Sequence, residues 1–445
     1  MAVLCDLPPE LILHTVSFLT REIILDPDRL PGYRNSELEL VPDLPSVNAL
    51  SQTNTAIHHA LDQTLYDLCA SVPILGKLSL LFGVEHQLEN AVDRLVAAGV
   101  SLDTEFWFIG RRCRSLHIAA AMGHRSMVLK LLELYGDRLG TRLYNLTPRS
   151  VRFPPVTALD YAAQRGHMDI VRLLAPIPML SSSVSSDSSP CSSDVSNGVQ
   201  AADTLETHKQ YLGTALLASA RAGNNEISEY LVSEGADVNF RAARGTPLHW
   251  AAGTSNLALV KFLLASGANP NLLNQYGITA LFNAAENNSS VEIVQALVTA
   301  GADIHVKGLD MGNVLDHCEY PEPLRFFLER GVDPNNENDK GRTPLSYVCT
   351  KRNPKALTEL LLQFGAGPVE RHIESLRGST VVDIAMNNDL PEVVKILEPH
   401  IENPTLLEKI AKWRPWRERK KTLKKERDNR PDPRWLAHIG YGDSR

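Results

Sequence analysis

An all-α chain is expected: a short helical unit at the N-terminus, then a solenoid of about nine helix pairs. Three observations predict it. A block of roughly 33 residues recurs through the second half of the chain. Within each block the apolar residues follow helical rather than alternating spacing. The first seventy or so residues carry two amphipathic stretches that are too short to form a core alone.

The first of these stretches, Leu7 to Leu19, reads LPPELILHTVSFL. Its Leu-Pro-Pro corner starts a helix, and Glu10 suits the positive end of the helix dipole. The second, Leu44 to Leu68, places Val47, Leu50, Asn54, Ile57, Leu61, Leu65 and Leu68 on one stripe. A unit of this size needs a partner to finish burying its apolar faces. Leu7-Pro8, Glu10-Leu11-Ile12, Ala49-Leu50-Ser51-Gln52-Thr53-Asn54 and Leu65-Tyr66 together resemble an F-box. The departure from that pattern is a polar, Pro-containing insert, residues 20–43, longer than a usual connection between helices. Residues 1–72 are therefore read as an F-box-like domain. The plainer alternative is a helical cap for the rest of the chain.

The repeat is seen most simply in five leucines: Leu216, Leu248, Leu281, Leu315 and Leu345, spaced by 32, 33, 34 and 30 residues. Each is third in a short block such as Thr246-Pro247-Leu248-His249 or Thr343-Pro344-Leu345. Gly235, Gly267, Gly301, Gly331 and Gly365 keep the same beat and open GADVN, GANPN, GADIH, GVDPN and GAGPV. Pro247 and Pro344 suit a first helical turn, where a missing N–H costs little. The glycines suit a left-handed C-cap. One such unit cannot bury its own apolar face, so neighbours must stack. Two motifs recurring in phase resemble the ankyrin repeat. Weaker copies stand at Ser115 to Gly136 and Thr157 to Ala175, with an opening unit near Leu78 to Asp103 and a closing one at Thr380 to His400. This gives repeats over 73–176 and 211–402.

Residues 177–210 interrupt the beat. Their centre reads SSSVSSDSSPCSSDVS, and the segment is expected to be a flexible linker. It is either a passive loop or one regulated by phosphate at Ser189. The tail, 403–445, turns basic: Glu408 to Arg434 holds twelve Lys or Arg against five Asp or Glu. Leu406, Leu407, Ile410 and Trp413 suit a capping helix over the last repeat. Basic residues among Trp413, Trp416 and Trp435 also suit nucleic acid or anionic lipid, and Arg419-Lys420-Lys421 a nuclear address.

Composition narrows the function classes. Of 445 residues, 43% are hydrophobic and 22% charged, as in a folded protein, and the net charge of −7 makes nucleic acid an unexpected partner. Six scattered cysteines, without a C-x-x-C, disfavour a metal or disulfide framework and suit the cytosol or nucleus. No apolar run is long enough to span a membrane. Phosphate-loop, zinc-protease and nucleophile-elbow motifs are missing from the sequence. His117 and His249 occupy the repeat's own His slot. No catalytic residue, cofactor or small-molecule substrate is therefore expected.

The two resemblances together imply a substrate receptor of a cullin-RING (SCF-type) ubiquitin ligase. A Skp-family adaptor, and through it a cullin, would dock on Leu7, Pro8, Glu10, Leu11, Ile12, Val16, Leu50, Asn54 and Leu61. A target protein would be held on hairpin tips and inner helices, at Asn239, Arg241, Trp250, Asn271, Asn274, Asn283, His305, Asn335 and Asn338. Trp250 reads equally as an interface anchor or as a filler between repeats. The alternative is an ankyrin-type scaffold with no ligase role.

Overall fold

The computed structural model describes residues 20–23, 39–42, 66, 69–71, 73–108, 111–136, 156–176, 196–286, 291–376 and 378–428. It divides into two compact units, Met1–Phe240 and Arg241–Arg445. The adaptor-docking positions expected at the N-terminus lie outside the described residues, as does the centre of the Ser-rich segment.

In the first unit, β1 (Thr20–Ile23) and β2 (Glu39–Pro42) pair antiparallel, Thr20 opposite Pro42 and Ile23 opposite Glu39. The polar insert, residues 20–43, thus contains a strand pair. Four helix pairs follow: α1 (Pro73–Glu85) with α2 (Glu89–Ala97), α3 (Ser115–Met122) with α4 (Arg125–Tyr135), α5 (Ala158–Arg165) with α6 (Met168–Leu174), and α7 (Ser196–Ala222) with α8 (Asn225–Ser233). Between the first two pairs, β3 (Phe106–Phe108) and β4 (Arg111–Cys113) form a second antiparallel pair. Aromatic residues favour extended backbone here, and Phe106 is buried in the core. The chain is mostly helical, with these two strand pairs as departures from an all-helical expectation.

The expected linker over 177–210 needs a larger correction. Its second part, from Ser196, is already helix α7. From Val199 onward Ala, Gln, Leu, Glu and Lys predominate, residues of high helix propensity, so the helix runs back past the repeat boundary.

The second unit continues the pattern with α9 (Pro247–Gly253) and α10 (Leu257–Ala265), then α11 (Ala280–Glu286) and α12 (Val291–Thr299). In the seventh pair a 3-10 turn, Val314–His317, replaces the first helix and is followed by α13 (Pro321–Glu329). Next come α14 (Pro344–Tyr347) with α15 (Pro354–Gln363), α16 (Val381–Asn387) with α17 (Pro391–Leu397), and a final long helix, α18 (Pro404–Asp428). Nine two-element repeats can therefore be traced among the described residues.

Stacking follows from the apolar periodicity. Leu248, Val260 and Leu263 of the fifth repeat are buried, as are Leu281, Ile293, Val294 and Leu297 of the sixth. Each such side chain contributes roughly 1.5–3 kcal/mol on burial. Gly235, Gly267, Gly301, Gly331 and Gly365 all have φ between 82° and 95°, the left-handed backbone that ends each second helix.

Polar side chains tie neighbouring repeats where the backbone would otherwise be orphaned. In the first unit, His124 Nε2–H donates to Glu85 O at 3.0 Å and His167 Nε2–H to Ala121 O at 3.1 Å. Asn224 Nδ2–H donates to Ala163 O at 2.7 Å from the same place in the next repeat. His and Asn are interchangeable at this slot because each offers an N–H to the carbonyl end of the preceding first helix.

Candidate protein-interaction surface

The slot after Thr-Pro-Leu sets how each repeat begins. In the fifth repeat, His249 is buried, and its Nδ1 accepts the Thr246 backbone N–H at 3.1 Å while Nε2–H donates to Ile278 O at 3.1 Å. Those two partners require the neutral Nε2–H tautomer. Burial first, and Arg241 with it, hold the imidazole below its ordinary pKa despite the Ile278 carbonyl. The histidine is therefore a bracket between the fifth and sixth hairpins, and its ring is not free for chemistry.

The hairpin tips of the second unit join edge to edge through the backbone. Gln275 N–H donates to Ala243 O at 3.1 Å, Leu309 N–H faces Tyr276 O at 3.5 Å, and Asp339 N–H donates to Asp310 O at 2.9 Å. The middle of this row is apolar and open to solvent. Leu309 is 69% exposed, Tyr276 57%, Met311 47% and Leu273 39%. Leu309 lies against the backbone of Gly277, where an added Cβ would stand 2.5 Å from Leu309 Cγ. Gly277 also has φ of 68°, so glycine is doubly required there. Exposed Arg241, Arg244, Lys307, Asp310, Asp339 and Lys340 frame the patch. Apolar residues clustered and rimmed by charge are the usual makings of a protein-binding surface.

The residues expected to hold a target divide sharply against this row. Asn274 and Asn338 are buried. Asn274 Oδ1 accepts the Tyr276 and Ile278 N–H groups; Asn338 Oδ1 accepts those of Lys340 and Arg342, and its amide donates to Tyr347 Oη at 2.7 Å. Both shape their hairpins from within and present nothing to a partner, which corrects the expectation. Asn271 is exposed, yet its amide bridges two repeats, donating to Gly301 O and accepting from Asp303 N–H, each at 2.8 Å. Asn335 repeats that bridge to Gly365 O at 3.0 Å and Gly367 N–H at 2.8 Å. Half-buried Asn283 donates to His249 O at 3.0 Å. These three are structural ties first.

Asn239 belongs to the first unit, is half-buried, and donates its backbone N–H to Asp237 Oδ1 at 2.9 Å. Arg241 is exposed and holds the next tip through Leu273 O at 2.5 Å. His305 is exposed beyond the sixth repeat, and Trp250 is half-buried on α9. The tip residues Leu273, Tyr276, Leu309 and Met311 escaped sequence reasoning. Their signal was there: apolar residues at turn positions that the repeat pattern otherwise fills with polar ones.

No group of three or more His, Cys, Asp or Glu able to hold a metal occurs among the described residues. Cys318 and Cys349 are buried, and desolvation pushes the Cys349 thiol up to about 12. Neither can act as a thiolate near neutrality. No helix among the described residues is long and apolar enough to cross a membrane.

A family model for ankyrin repeats matches residues 116–274 and 216–308. The chain is 29% identical to human SH3 and multiple ankyrin repeat domains protein 2 over 40% of this chain and 10% of that protein. It is 32% identical to bovine mitochondrial disaggregase over 30% of this chain and 21% of that one. It is also 32% identical to the mouse B-cell lymphoma 3 protein homolog over 35% of each. The chain thus spans well under half the length of these relatives. Among solved structures, the human ASB11 ankyrin repeat domain aligns over 57% of this chain and 98% of that domain, with 22% identity and a TM-score of 0.41. The family match and the repeated hairpin geometry agree: residues 116–308 carry ankyrin repeats.

Proposed function

We propose that this chain is a non-catalytic substrate receptor, holding a target protein on the hairpin-tip row and docking a Skp-family adaptor through its N-terminal segment. The capture half rests on one observation, the exposed apolar run of Leu273, Tyr276, Leu309 and Met311 on adjoining tips. A tyrosine beside aliphatic groups on a backbone-tied platform offers large contact area at little conformational cost. Arg241 and the surrounding charges set orientation more than affinity.

The docking half is supported by sequence: the Leu7-Pro8 corner, Glu10-Leu11-Ile12, Val16, and the stripe of Leu50, Asn54 and Leu61. The adaptor would in turn recruit a cullin. The mechanism is proximity. Catalytic groups belong to other subunits, and the receptor raises the local concentration of the target beside them. The cytosol or nucleus is the proposed compartment. A plain repeat scaffold is the second reading, favoured by a family match that starts at residue 116 and leaves the N-terminal segment outside it.

The adaptor half is tested by pull-down of the full chain with purified Skp-family adaptor, beside a Leu7→Ala/Pro8→Ala/Leu11→Ala variant. Circular dichroism checks that the variant's repeats stay folded. Retention of the adaptor by the natural chain and its loss in the variant is the expected result. Failure of the natural chain to bind would leave the scaffold reading.

A further inference from the structure

A buried carboxylate stands against the seventh hairpin tip. Asp316, on the 3-10 turn Val314–His317, is 7% exposed, and neither of its side-chain oxygens has a hydrogen-bond partner at full strength. Its Oδ2 faces Gly312, where an added Cβ would stand 2.6 Å away; the same Cβ would stand 3.1 Å from Asp310 Oδ1. The two carboxylates therefore converge on one spot of the tip.

Asp310 belongs to the tip row itself. It stands between the exposed Leu309 and Met311, its Oδ1 accepts Gly312 N–H at 3.2 Å, and its backbone O accepts Asp339 N–H from the eighth tip at 2.9 Å. Met311 N–H closes the same turn onto Gly308 O at 2.9 Å. A push on the Asp310 side chain thus reaches both apolar neighbours and the joint to the next tip. The other charges nearby do little to relieve it. Lys351 of the eighth repeat faces Asp316 but is shared with Glu319, 3.2 Å away. His317, edge-on to Phe282 at 5.1 Å, is faced by Lys351, Glu286 and Asp310. In the same slot the other repeats of the second unit carry His249, Phe282 and Ser346, or Asp383 with its Thr380 donor. Among the described repeats of that unit, the seventh alone sets a donor-poor buried carboxylate against a second carboxylate on its tip.

We propose that the protonation state of Asp316 gates the hairpin-tip row. With Asp316 neutral the seventh tip stays closed onto the eighth; with Asp316 ionised, repulsion from Asp310 loosens the tip that carries Leu309 and Met311. Two like charges at this range, one of them desolvated, oppose each other strongly, and the neutral acid removes the repulsion and gains an O–H to donate. Burial first, then Asp310, raises Asp316 to about 7 against Lys351 and the Asn313 N–H. A native value above the ordinary 3.8 means that the closed tip is favoured on the acid side and lost as the pH rises through 7. His249 and His317 are both held below 6.5, chiefly by burial, so neither carries charge in that window. Weaker target capture at higher pH rests on the row being the capture surface; the gate itself does not.

The test follows hydrogen exchange of single amides in the full chain, as protection relative to the intrinsic rate, from about pH 6.5 to about pH 8.5. Protection of the Met311 and Asp339 N–H groups is expected to fall by about tenfold. Gln275 N–H, which makes the same kind of joint to Ala243 O in a repeat with Phe282 in the Asp316 slot, is expected to hold steady. Asp316→Asn should keep Met311 and Asp339 protected throughout. Asp310→Asn should leave the fall around 313–318 and abolish it at Met311 and Asp339, because the coupling runs through Asp310. No partner is present, so the outcome is independent of whether the row captures a target. Flat protection at Met311 and Asp339 in the natural chain, a fall that persists in Asp316→Asn, or an equal fall at Gln275 would overturn the proposal.

Discussion

The fifth and seventh repeats solve the same problem with different residues, and only one solution is complete. At the fifth, Thr246 and His249 share hydrogen bonds, and the imidazole reaches on to Ile278 O. At the seventh, Asn313 and Asp316 occupy those positions. Asn313 turns its side chain elsewhere, accepting Leu315 N–H at 3.0 Å and donating to Asp333 O at 2.8 Å. Asp316 is 7% exposed, and neither carboxylate oxygen has a hydrogen-bond partner at full strength; the Asn313 backbone N–H is the nearest help. The first helix of that repeat shrinks to a 3-10 turn. A repeat tolerates either residue type at the second cap position, and a buried Asp there finds a partner where the first member is Thr but not where it is Asn.

Asp160 and Asp383, in the same slot of the third and ninth repeats, show what Asp316 lacks. Asp160 accepts Thr157 N–H at 2.7 Å and Asp383 accepts Thr380 N–H at 2.9 Å. Burial opposes the charge on Asp383, yet the Thr380 donors and Lys409 hold it below the usual carboxylate range. Burial pushes the more enclosed Asp160 up to about 6 against its Thr157 donors. Asp316, desolvated and faced by Asp310 with only Lys351 and the Asn313 N–H in relief, rises to about 7.

The largest effect is expected from removing that charge. A folded-state value near 7 against 3.8 in the unfolded chain means that the native state binds more protons between those limits. Stability is then fully present below about pH 4 and lost as the pH rises toward 7. Asp316→Asn should stabilise the seventh repeat by about 2–4 kcal/mol at neutral pH, and the gain should vanish near pH 4. Hydrogen exchange of amides around 313–318 reads this locally. A gain of the same size at pH 4 would break the comparison.

His249→Ala should cost about 2–3 kcal/mol, since it leaves the buried Thr246 N–H without a partner. The pH dependence has the opposite sign. A histidine depressed below 6.5 gives stability present above that pH and lost on acidification. Protection from exchange, measured against the intrinsic rate at each pH, should therefore fall in acid around 246–252 and rise around 313–318. Asn271→Ala, which removes a two-armed bridge on an exposed hairpin, should cost about 1 kcal/mol by thermal unfolding. Tyr276→Glu should cost under about 0.5 kcal/mol, because the side chain is open to solvent.

The repeat was legible because its signals are backbone requirements. Gly267 and Gly301 must adopt left-handed φ, Pro247 must open a helix, and Leu248 and Leu281 must be buried. The interaction surface was much less so. Asn271, Asn274, Asn335 and Asn338 stood out as polar tip residues, but an amide at a hairpin is equally useful as an internal tie, and spacing does not distinguish the two. Leu309 and Met311 stand at turn positions that the repeat otherwise fills with polar residues, but their exposure depends on where the turn points, which spacing does not give. Helix α7 begins earlier than the Ser-rich composition implied, since helix formers from Val199 onward prevail over the flanking serines.

The most direct measurement of the central claim places a photo-crosslinking amino acid at Tyr276 in cells, with and without Leu309→Glu/Met311→Glu. The account predicts a discrete protein adduct at 276 that the double variant abolishes while thermal unfolding is unchanged. An adduct pattern at 276 that the double variant leaves intact, or one identical to that from exposed Lys209 outside the row, would contradict it.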